Sequence, residues 1–368
     1  MIEVHITVKR GDFLLEASFE AASNGVTALY GPSGAGKSTV INAIAGITRP
    51  DLGKIVVGGR VLFDQAANID VPIAKRQLGY VFQEGRLFPH MSVEQNLLYG
   101  RRGNPAPYPT LDETVALLGL GQLLKRRPGS LSGGERQRVA IGRALLGAPR
   151  ILLMDEPLAS LDSARRAEIL PYLAALRKTW SIPVIYVSHQ MDEVIRLADT
   201  LVLLADGRVV EVGSVEELTS RLDLAPLTGK YEAGAVLPCH VGDQDPRFGL
   251  TRLDFSGGSL WVGAIDSPEG TSIRVQVRAR DVALSLMPPS DISMLNIIKA
   301  RVLEIGTARG AQVDVRLSSG DDFLWATLTR RSVHELGLKP GLAVHAMIKS
   351  VSIGGASFGP IGAPSSPK

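Results

Sequence analysis

Residues 31–39 have the types and spacing that suit the binding of phosphate groups, because they fit the pattern G-x-x-x-x-G-K-[ST]. The nine residues are Gly31, Pro32, Ser33, Gly34, Ala35, Gly36, Lys37, Ser38 and Thr39. Glycines let the backbone wrap around phosphate oxygens, and N–H groups at the start of the following helix hold negative charge. Lys37 is predicted to reach the β- and γ-phosphates of a nucleoside triphosphate, and Ser38 to hold Mg²⁺.

Two adjacent carboxylates follow an apolar run further along the chain. Residues 151–154 read Ile-Leu-Leu-Met and are predicted to form a buried strand, which ends in Asp155 and Glu156. Asp155 is placed to bind Mg²⁺ directly or through water, and Glu156 could polarise the water that attacks the γ-phosphate. Together with the loop at 31–39, this pair predicts a nucleotide hydrolase.

A third stretch lies between the loop and the carboxylates and narrows the class of hydrolase. It begins with Leu131, Ser132, Gly133, Gly134 and Glu135. Many nucleotide hydrolases combine a phosphate loop with an acidic strand end, but few add a Ser-Gly-Gly-Glu helix start between them. In this order the three stretches strongly resemble the ATP-binding subunit of an ABC transporter.

The resemblance implies roles for several further residues. Gln83 matches the glutamine that contacts Mg²⁺ and links to a transmembrane partner, and His189 matches the histidine that contacts the γ-phosphate. The stretch 131–135 matches the signature that covers the γ-phosphate of ATP held by the other subunit. Asp162 matches the loop that joins the two sites across the dimer. The implied catalytic residues are Glu156, His189 and Gln83, and the implied Mg²⁺ ligands are Ser38, Gln83 and Asp155.

The family also has an aromatic side chain that stacks on adenine, upstream of the phosphate loop. Phe13 precedes the loop and is the candidate for this role. A place in the hydrophobic core suits Phe13 equally well, so both interpretations stay open.

The signature implies a homodimer in which each subunit supplies half of each ATP site. ATP binds the closed state of the dimer better than the open state, so ATP binding would close the dimer and assemble both sites. Hydrolysis would then release the closed state. The segment 87–90, Leu-Phe-Pro-His, is expected to form part of the surface that grips a membrane helix. The implied partners are two transmembrane permease subunits and, indirectly, an extracytoplasmic binding protein, with no nucleic acid. The chain would then be peripheral, at the cytoplasmic face of the cell (inner) membrane.

The elements that must position these residues alternate between short apolar runs and helical stretches. Strands are predicted at 4–8, 13–19, 27–30, 78–82, 151–154, 184–187 and 201–204. Helices are predicted at 37–47, 135–146 and 164–177, with a kink or a break at Pro171. This alternation predicts an α/β P-loop NTPase fold, with a mostly parallel sheet covered on both faces.

After about residue 220 the sequence changes to short β-like runs separated by glycine and proline. Examples lie at 259–264, 273–277, 300–305, 312–317 and 344–348, which predicts a small all-β, OB-like barrel. The predicted domains are an ATP-binding domain at 1–228, a linker with the first part of a β-rich region at 229–290, and a compact β domain at 291–353. Residues 354–368 are rich in Gly, Pro and Ser and are predicted to be a disordered tail.

Composition limits the other possibilities. The 368 residues suit two or three domains, and a net charge of +3 is too small to argue for nucleic acid by itself. The single cysteine, Cys239, excludes an internal disulfide. The first residues lack the pattern of a signal peptide, and no apolar run approaches the roughly 18–20 residues that span a bilayer. If the protein works at a membrane, other subunits must do the spanning.

The β-rich region after residue 220 indicates a cargo, through its resemblance to a known family. Residues 277–284, Asn296, 329–333 and 348–351 look like the ATP-binding subunit of molybdate importers, and the lobe at 291–353 resembles the small molybdate-binding molbindin domain. Molybdate is a tetrahedral dianion, which hydroxyls, backbone N–H groups and a cation can bind. Ser293, Lys349 and Ser350 could supply these groups across a dimer interface.

The chain departs from the molbindin pattern at one position. Those domains often carry Ser-Ala-Arg-Asn, whereas residues 293–296 read Ser-Met-Leu-Asn, so a charge-assisted contact is lost. The lobe could therefore bind the anion, or it could only dimerise or regulate.

The leading interpretation is an ATPase and translocase subunit that couples ATP hydrolysis to the import of molybdate, with tungstate as a further cargo. The alternative is the same machine for another solute, such as sulfate, a polyamine or a sugar. A soluble ABC ATPase of DNA repair or translation would carry coiled-coil insertions or two cassettes, and this sequence has neither. A vestigial cassette in an anion sensor is disfavoured by the complete set of Lys37, Asp155, Glu156 and His189.

Overall fold

The computed structural model describes residues 1–101, 109–179, 182–228, 234–349, 351–353 and 356–358. The chain divides into two compact units, Met1–Ser214 and Val215–Lys368. Ser350, one of the predicted anion ligands, lies outside the described residues. So does most of the predicted tail at 354–368, of which only a short strand at 356–358 is described.

The first unit is built on an eleven-stranded sheet with helices packed against it. Its strands are β1 (Ile2–Arg10), β2 (Phe13–Ala21), β3 (Val26–Tyr30), β4 (Leu52–Val57), β5 (Arg60–Asp64), β6 (Ile69–Asp70), β7 (Leu78–Val81), β8 (Ile151–Asp155), β9 (Val184–Ser188), β10 (Thr200–Ala205) and β11 (Arg208–Ser214). Their spatial order is β6-β5-β4-β1-β2-β11-β10-β3-β9-β8-β7.

The sheet is mixed, which corrects the prediction of a mostly parallel sheet. Neighbours in the run β10-β3-β9-β8-β7 pair in parallel, as do β2 and β11. The pairs among β1, β2, β4, β5 and β6, and the pair of β10 with β11, are antiparallel. Antiparallel neighbours need only short turns, such as the one between β1 and β2, whereas parallel neighbours need helical crossovers. The parallel half therefore carries the crossovers that surround the predicted site.

The helices of this unit connect or cover the strands. They are α1 (Lys37–Ala45), α2 (Val93–Gly100), α3 (Leu111–Leu117), α4 (Gly133–Leu146), α5 (Ser163–Thr179) and α6 (Met191–Leu197). Helix α5 is continuous although it contains Pro171, so it is not broken there. Pro171 and Ala167, whose carbonyl loses its usual donor, are both exposed, and water can satisfy that carbonyl.

The carboxyl ends of three buried strands meet at one edge of this sheet. Strand β3 is buried at every position and pairs with β9, where Tyr30 lies opposite Ser188. Strand β8 pairs with β9 on its other side, where Asp155 lies opposite Val187. Because these strands are parallel, the loop that follows Tyr30 and the side chain of Asp155 leave the sheet at the same edge.

The second unit contains two antiparallel sheets. The six-stranded sheet has the order β14-β13-β12-β15-β21-β22, and the five-stranded sheet has the order β16-β20-β17-β18-β19. The strands are β12 (Gly234–Asp245), β13 (Leu250–Phe255), β14 (Gly258–Gly263), β15 (Ser272–Arg278), β16 (Val282–Ser285), β17 (Asn296–Ile305), β18 (Gln312–Ser319), β19 (Asp322–Thr329), β20 (Ala343–Ile348), β21 (Val351–Ile353) and β22 (Ala356–Phe358). The short helices are α7 (Val215–Thr219), α8 (Ala225–Thr228) and α9 (Arg330–Glu335).

Alternating apolar side chains of both sheets form one core in this unit, including Leu237, Val275, Val302 and Leu317. Cys239 is buried in the same core. An α/β unit is thus followed by a small β-rich unit, which confirms the predicted fold class.

Candidate nucleotide site

The loop between β3 and α1 has the backbone that its glycines predict. Gly36 precedes α1 with φ 101°, a left-handed conformation that glycine adopts without strain. A Cβ atom on Gly36 would lie 2.6 Å from Leu15 Cδ1, and one on Gly31 would lie 2.0 Å from the carbonyl oxygen of Leu204. Any side chain at these two positions would displace the loop from the sheet, so the close approach depends on glycine.

Lys37 is the first residue of α1 and directly follows this loop. Its Nζ donates hydrogen bonds to the carbonyl oxygens of Gly31 at 2.8 Å and Pro32 at 2.9 Å. Burial lowers the pKa of Lys37, while the carboxylates of Glu156 and Asp155 oppose that shift. The carbonyl oxygens of the loop thus orient the ammonium group of Lys37.

Asp155 and Ser38 are brought together, although 117 positions separate them in the sequence. Ser38 Oγ donates a hydrogen bond to Asp155 Oδ1 at 3.0 Å. The hydroxyl of Tyr80 lies 3.3 Å from Asp155 Oδ2 and 3.0 Å from Asn42 Oδ1. Burial raises the pKa of Asp155, and the hydrogen bonds from Ser38 and Tyr80 partly offset that shift. A hydroxyl and a carboxylate oxygen are ligands of the kind that Mg²⁺ accepts.

Glu156 and His189 also meet at this edge of the sheet. Glu156 Oε2 lies 3.2 Å from His189 Nδ1. The backbone of Glu156 has φ 45°, a left-handed conformation that is uncommon for a residue with a side chain, and its N–H donates to the carbonyl of Val187 at 3.1 Å. Such backbone strain concentrates at functional sites, where the surrounding structure maintains it.

Two cavities border the loop, and Phe13, Ser33 and Gly34 line both of them. The smaller, of about 270 Å³, is lined by Phe13, Ser33, Gly34, Gly36, Lys37, Ser38, Thr39 and Glu156. The larger, of about 720 Å³, is lined by Asp12, Phe13, Leu14, Pro32, Ser33, Gly34, Ala35, Ala205, Asp206, Arg208 and Val210. Phe13 borders both cavities and also packs against the core of the sheet, so its position suits both interpretations left open by the sequence.

The stretch 131–135 forms the start of α4. Ser132 Oγ accepts a hydrogen bond from the N–H of Glu135 at 3.2 Å, and Glu135 Oε2 accepts one from the N–H of Ser132 at 2.7 Å. The second bond lowers the pKa of Glu135. This capping box leaves Ser132 exposed, while Leu131 is buried. Residues 131–135 do not line either of the two cavities, so this helix start faces elsewhere.

Asp162 caps the next helix, since its Oδ1 accepts from the N–H of Arg165 at 2.9 Å. The loop before it lies beside the start of α4, where a Cβ atom on Gly133 would be 2.9 Å from Leu161 Cδ2. The signature stretch and the loop of Asp162 are therefore neighbours within one chain.

Gln83 is exposed and lies two residues beyond the end of β7. Val81 pairs with Met154, so Gln83 and Asp155 leave neighbouring strands at the same edge. The next segment, 87–90, is held by the buried side chain of Asn96, which bonds both the N–H and the carbonyl of Phe88, at 2.8 and 3.1 Å.

The predicted anion ligands lie in the second unit. Ser293 and Lys349 are both exposed, and they flank the pair in which Asn296 lies opposite Ile348. Asn296 itself is buried, and its amide bonds the backbone of Trp261 at 2.6 and 3.0 Å, which makes it a link between β17 and β14. Leu295, at the position of the missing arginine, is 66% exposed.

Tyr80 and Asn42 are residues of the site that the motifs did not identify. The sequence offers one signal for Tyr80, which is a hydroxyl-bearing side chain on a predicted strand. Its contact with Asp155 could not be inferred, because that contact depends on β7 lying beside β8. Within the described ranges there is no cluster of three or more His, Cys, Asp or Glu side chains that could hold a metal ion.

The fold and the order of these segments define the class of protein. Residues 14–159 match the ABC transporter family, and residues 292–353 match the TOBE domain. A solved structure of cbiO1 from Clostridium perfringens, described as part of the ABC transporter complex cbiONQ, aligns with a TM-score of 0.50 and 26% identity. It covers 61% of this chain and 92% of that one.

Two curated relatives are similar over nearly the whole chain. Both are named molybdenum import ATP-binding protein ModC. The protein from Paramagnetospirillum magneticum is 51% identical over 96% of this chain and 98% of its own length, and that from Rhodospirillum rubrum is 51% identical over 96% and 97%. The chain belongs to this family of ABC transporter ATP-binding proteins, which confirms the resemblance found in the sequence. No helix in the described parts of the chain is long and apolar enough to cross a membrane.

Proposed function

We propose that this chain is the ATP-hydrolysing subunit of an ABC importer and couples hydrolysis to the uptake of molybdate, with tungstate as a further cargo. The observation that carries the ATPase part is the meeting of Ser38 and Asp155 beside a cavity whose wall includes Lys37 and Glu156. The names of the relatives at 51% identity support the cargo. An importer for sulfate, a polyamine or a sugar is the alternative.

In this proposal the loop at 31–39 binds the phosphates of ATP and Phe13 borders the base. Lys37 would turn from its own carbonyls to the β- and γ-phosphates. Ser38, Asp155 and Gln83 would hold Mg²⁺, which neutralises charge that develops on the phosphates. Glu156 would accept a hydrogen bond from the attacking water, and His189, 3.2 Å from that carboxylate, would donate to the γ-phosphate.

We propose that the working unit is a homodimer. Ser132, Gly133 and Gly134 start a helix whose N–H groups and hydroxyl can bind an anion, yet they do not line the cavity of their own chain. A second copy in the opposite orientation would bring them to the γ-phosphate, and Asp162, beside them, would join the two sites. Each ATP would then be sandwiched between two copies.

The partners follow from the same proposal. Two permease subunits would span the membrane, and the segment 87–90, which Asn96 holds in shape, would contact them. A molybdate-binding protein outside would deliver the anion. The chain would be peripheral, at the cytoplasmic face of the inner membrane, and would need no nucleic acid.

We retain the four predicted segments 1–228, 229–290, 291–353 and 354–368 as the functional division, with the ATP site in the first. The third would either bind the anion through Ser293, Lys349 and Ser350 or regulate transport. Leu295 is exposed and uncharged, so the position of the missing arginine supplies no cation near Ser293. This supports a role of the third segment in regulating transport.

The ATPase is tested with the purified full chain over a range of protein concentrations. A homodimer predicts Mg²⁺-dependent hydrolysis whose rate per chain rises with concentration and then levels off. A rate per chain that is constant at every concentration, from a chain that remains monomeric with ATP, would contradict the shared site. Titration of the full chain with molybdate, tungstate and sulfate in a calorimeter then tests the anion site at 291–353.

A further inference from the structure

A buried carboxylate bonds the residue before His189 and lines neither cavity of the nucleotide site. Glu193 is 3% exposed and belongs to α6. Its Oε2 accepts hydrogen bonds from the hydroxyls of Tyr186 at 2.8 Å and Ser188 at 2.7 Å. An ionised carboxylate is costly to bury unless a cation and hydrogen bonds compensate it, so these partners are required for its position.

The cation comes from the helix that follows the loop of Asp162. Arg166 Nε lies 3.4 Å from Glu193 Oε1. Arg166 Nη2 donates to the carbonyl oxygen of Leu161 at 3.2 Å. One guanidinium therefore joins the loop of Leu161 and Asp162 to the buried carboxylate.

The other oxygen of the carboxylate connects to the backbone around His189. Ser188 Oγ, which donates to Glu193, accepts a hydrogen bond from the N–H of Gln190 at 3.0 Å. Ser188 and Gln190 are the two neighbours of His189 in the chain, so this hydroxyl bridges the turn that carries the histidine. The path from Leu161 to the backbone at His189 thus consists of hydrogen bonds and one ion pair, between Arg166 and Glu193.

We propose that Glu193 is a positioning residue that couples the loop of Leu161 and Asp162 to His189 within one chain. The inference rests on the proposed function, because it assumes that His189 serves hydrolysis and that the partner subunit contacts this loop. A shift of the Leu161 carbonyl on dimer closure moves Arg166, and through the carboxylate it moves the turn at 188–190. The distance between His189 and Glu156 then depends on whether the partner is docked.

Ser188→Ala and Tyr186→Phe form a matched pair that tests the proposal. Each removes one hydroxyl from the same oxygen of Glu193, but only Ser188 also bonds the backbone beside His189. We expect Ser188→Ala to lower kcat about tenfold with ATP affinity unchanged, and Tyr186→Phe to stay within about twofold of the parent. Ser188→Thr keeps the hydroxyl and should restore most of the rate.

The ring resonances of His189 give a readout that does not depend on hydrolysis. The chain has six histidines, so His189 can be assigned by substitution in a histidine-labelled sample. We expect Ser188→Ala and Arg166→Met to shift the resonances of His189, and Tyr186→Phe to leave them in place. Equal shifts, or equal losses of rate, in Ser188→Ala and Tyr186→Phe would overturn the proposal, since the carboxylate would then only stabilise the fold.

A double-mutant cycle tests the coupling itself. If Arg166 acts through Ser188, the combined variant Arg166→Met with Ser188→Ala should lose little more rate than either single variant. Additive losses would overturn the path. If the chain hydrolyses no ATP but the resonances of His189 shift as expected, the proposed function is wrong and the contact path is still supported.

Discussion

Glu156 Oε2 and His189 Nδ1 lie 3.2 Å apart, although one residue follows β8 and the other follows β9. The pairing of Asp155 with Val187 in adjacent parallel strands brings the two side chains to the same edge. In the proposed function, this holds the carboxylate that would activate water beside the donor to a phosphate oxygen.

Glu156→Gln should retain ATP binding and lower the hydrolysis rate by about a hundredfold or more, because an amide cannot act as the base. The dimer with bound ATP should also persist longer, which size-exclusion chromatography can detect. Glu168→Gln, an exposed carboxylate on α5, is the control and should keep the parent rate. Near-normal turnover in Glu156→Gln would exclude Glu156 as the base.

Ser132→Arg should leave ATP binding by the chain's own loop intact and abolish hydrolysis. Ser132 is exposed at the start of α4 and does not line the cavity of its own chain, so the bulk and charge of arginine would act only on a docked partner. Fluorescent ATP binding and steady-state hydrolysis measure the two effects. Gln122→Arg, at an exposed position, is the matched control. Unchanged ATPase activity in Ser132→Arg would contradict a site shared between copies.

Tyr80→Phe should weaken the binding of Mg²⁺, so that hydrolysis and nucleotide binding need a higher Mg²⁺ concentration. Burial and the neighbouring Asp155 raise the pKa of Tyr80, so its hydroxyl stays protonated and donates at all physiological pH values. A hydrogen bond to a charged group contributes about 1.5 kcal/mol, which predicts about a tenfold increase in the Mg²⁺ concentration at half-saturation. Tyr99→Phe, whose ring packs on Phe88, is the control. Identical Mg²⁺ titrations for Tyr80→Phe and the parent would show that Tyr80 does not position Asp155.

Arg76→Met should lower the free energy of unfolding by about 3–5 kcal/mol, because it leaves three carbonyl oxygens without their donor, at about 1–3 kcal/mol each. The side chain of Arg76 is 1% exposed and donates to the carbonyls of Ala43 and Ile44 at the end of α1, and to Asp70. Arg49→Met is the control, since Arg49 pairs with the same Asp70 but is 69% exposed, and it should cost less than about 1 kcal/mol. Urea unfolding measures both, and equal losses would contradict the role of burial.

The phosphate loop, the acidic strand end and the signature could be predicted because each is a local pattern in which neighbouring residues act together. The strands β3, β8 and β9 could be predicted for the same reason, from continuous apolar runs. The antiparallel half of the sheet could not, since the pairing of β1 with β4 depends on contacts between distant segments. Tyr80, Arg76 and Glu193 escaped prediction because their roles depend on partners from other elements, as with Arg76 and the last turn of α1. The continuity of α5 through Pro171 depends on which face the proline occupies.

The uptake of radiolabelled molybdate tests the central claim most directly. Cells that lack the gene for this chain are compared with the same cells carrying the parent chain or Glu156→Gln, at low external molybdate and with labelled sulfate as a second substrate. The account predicts that the parent restores molybdate uptake, that Glu156→Gln does not, and that sulfate uptake is the same in all three. Molybdate uptake that is equal with and without the chain, or a defect confined to sulfate, would contradict it.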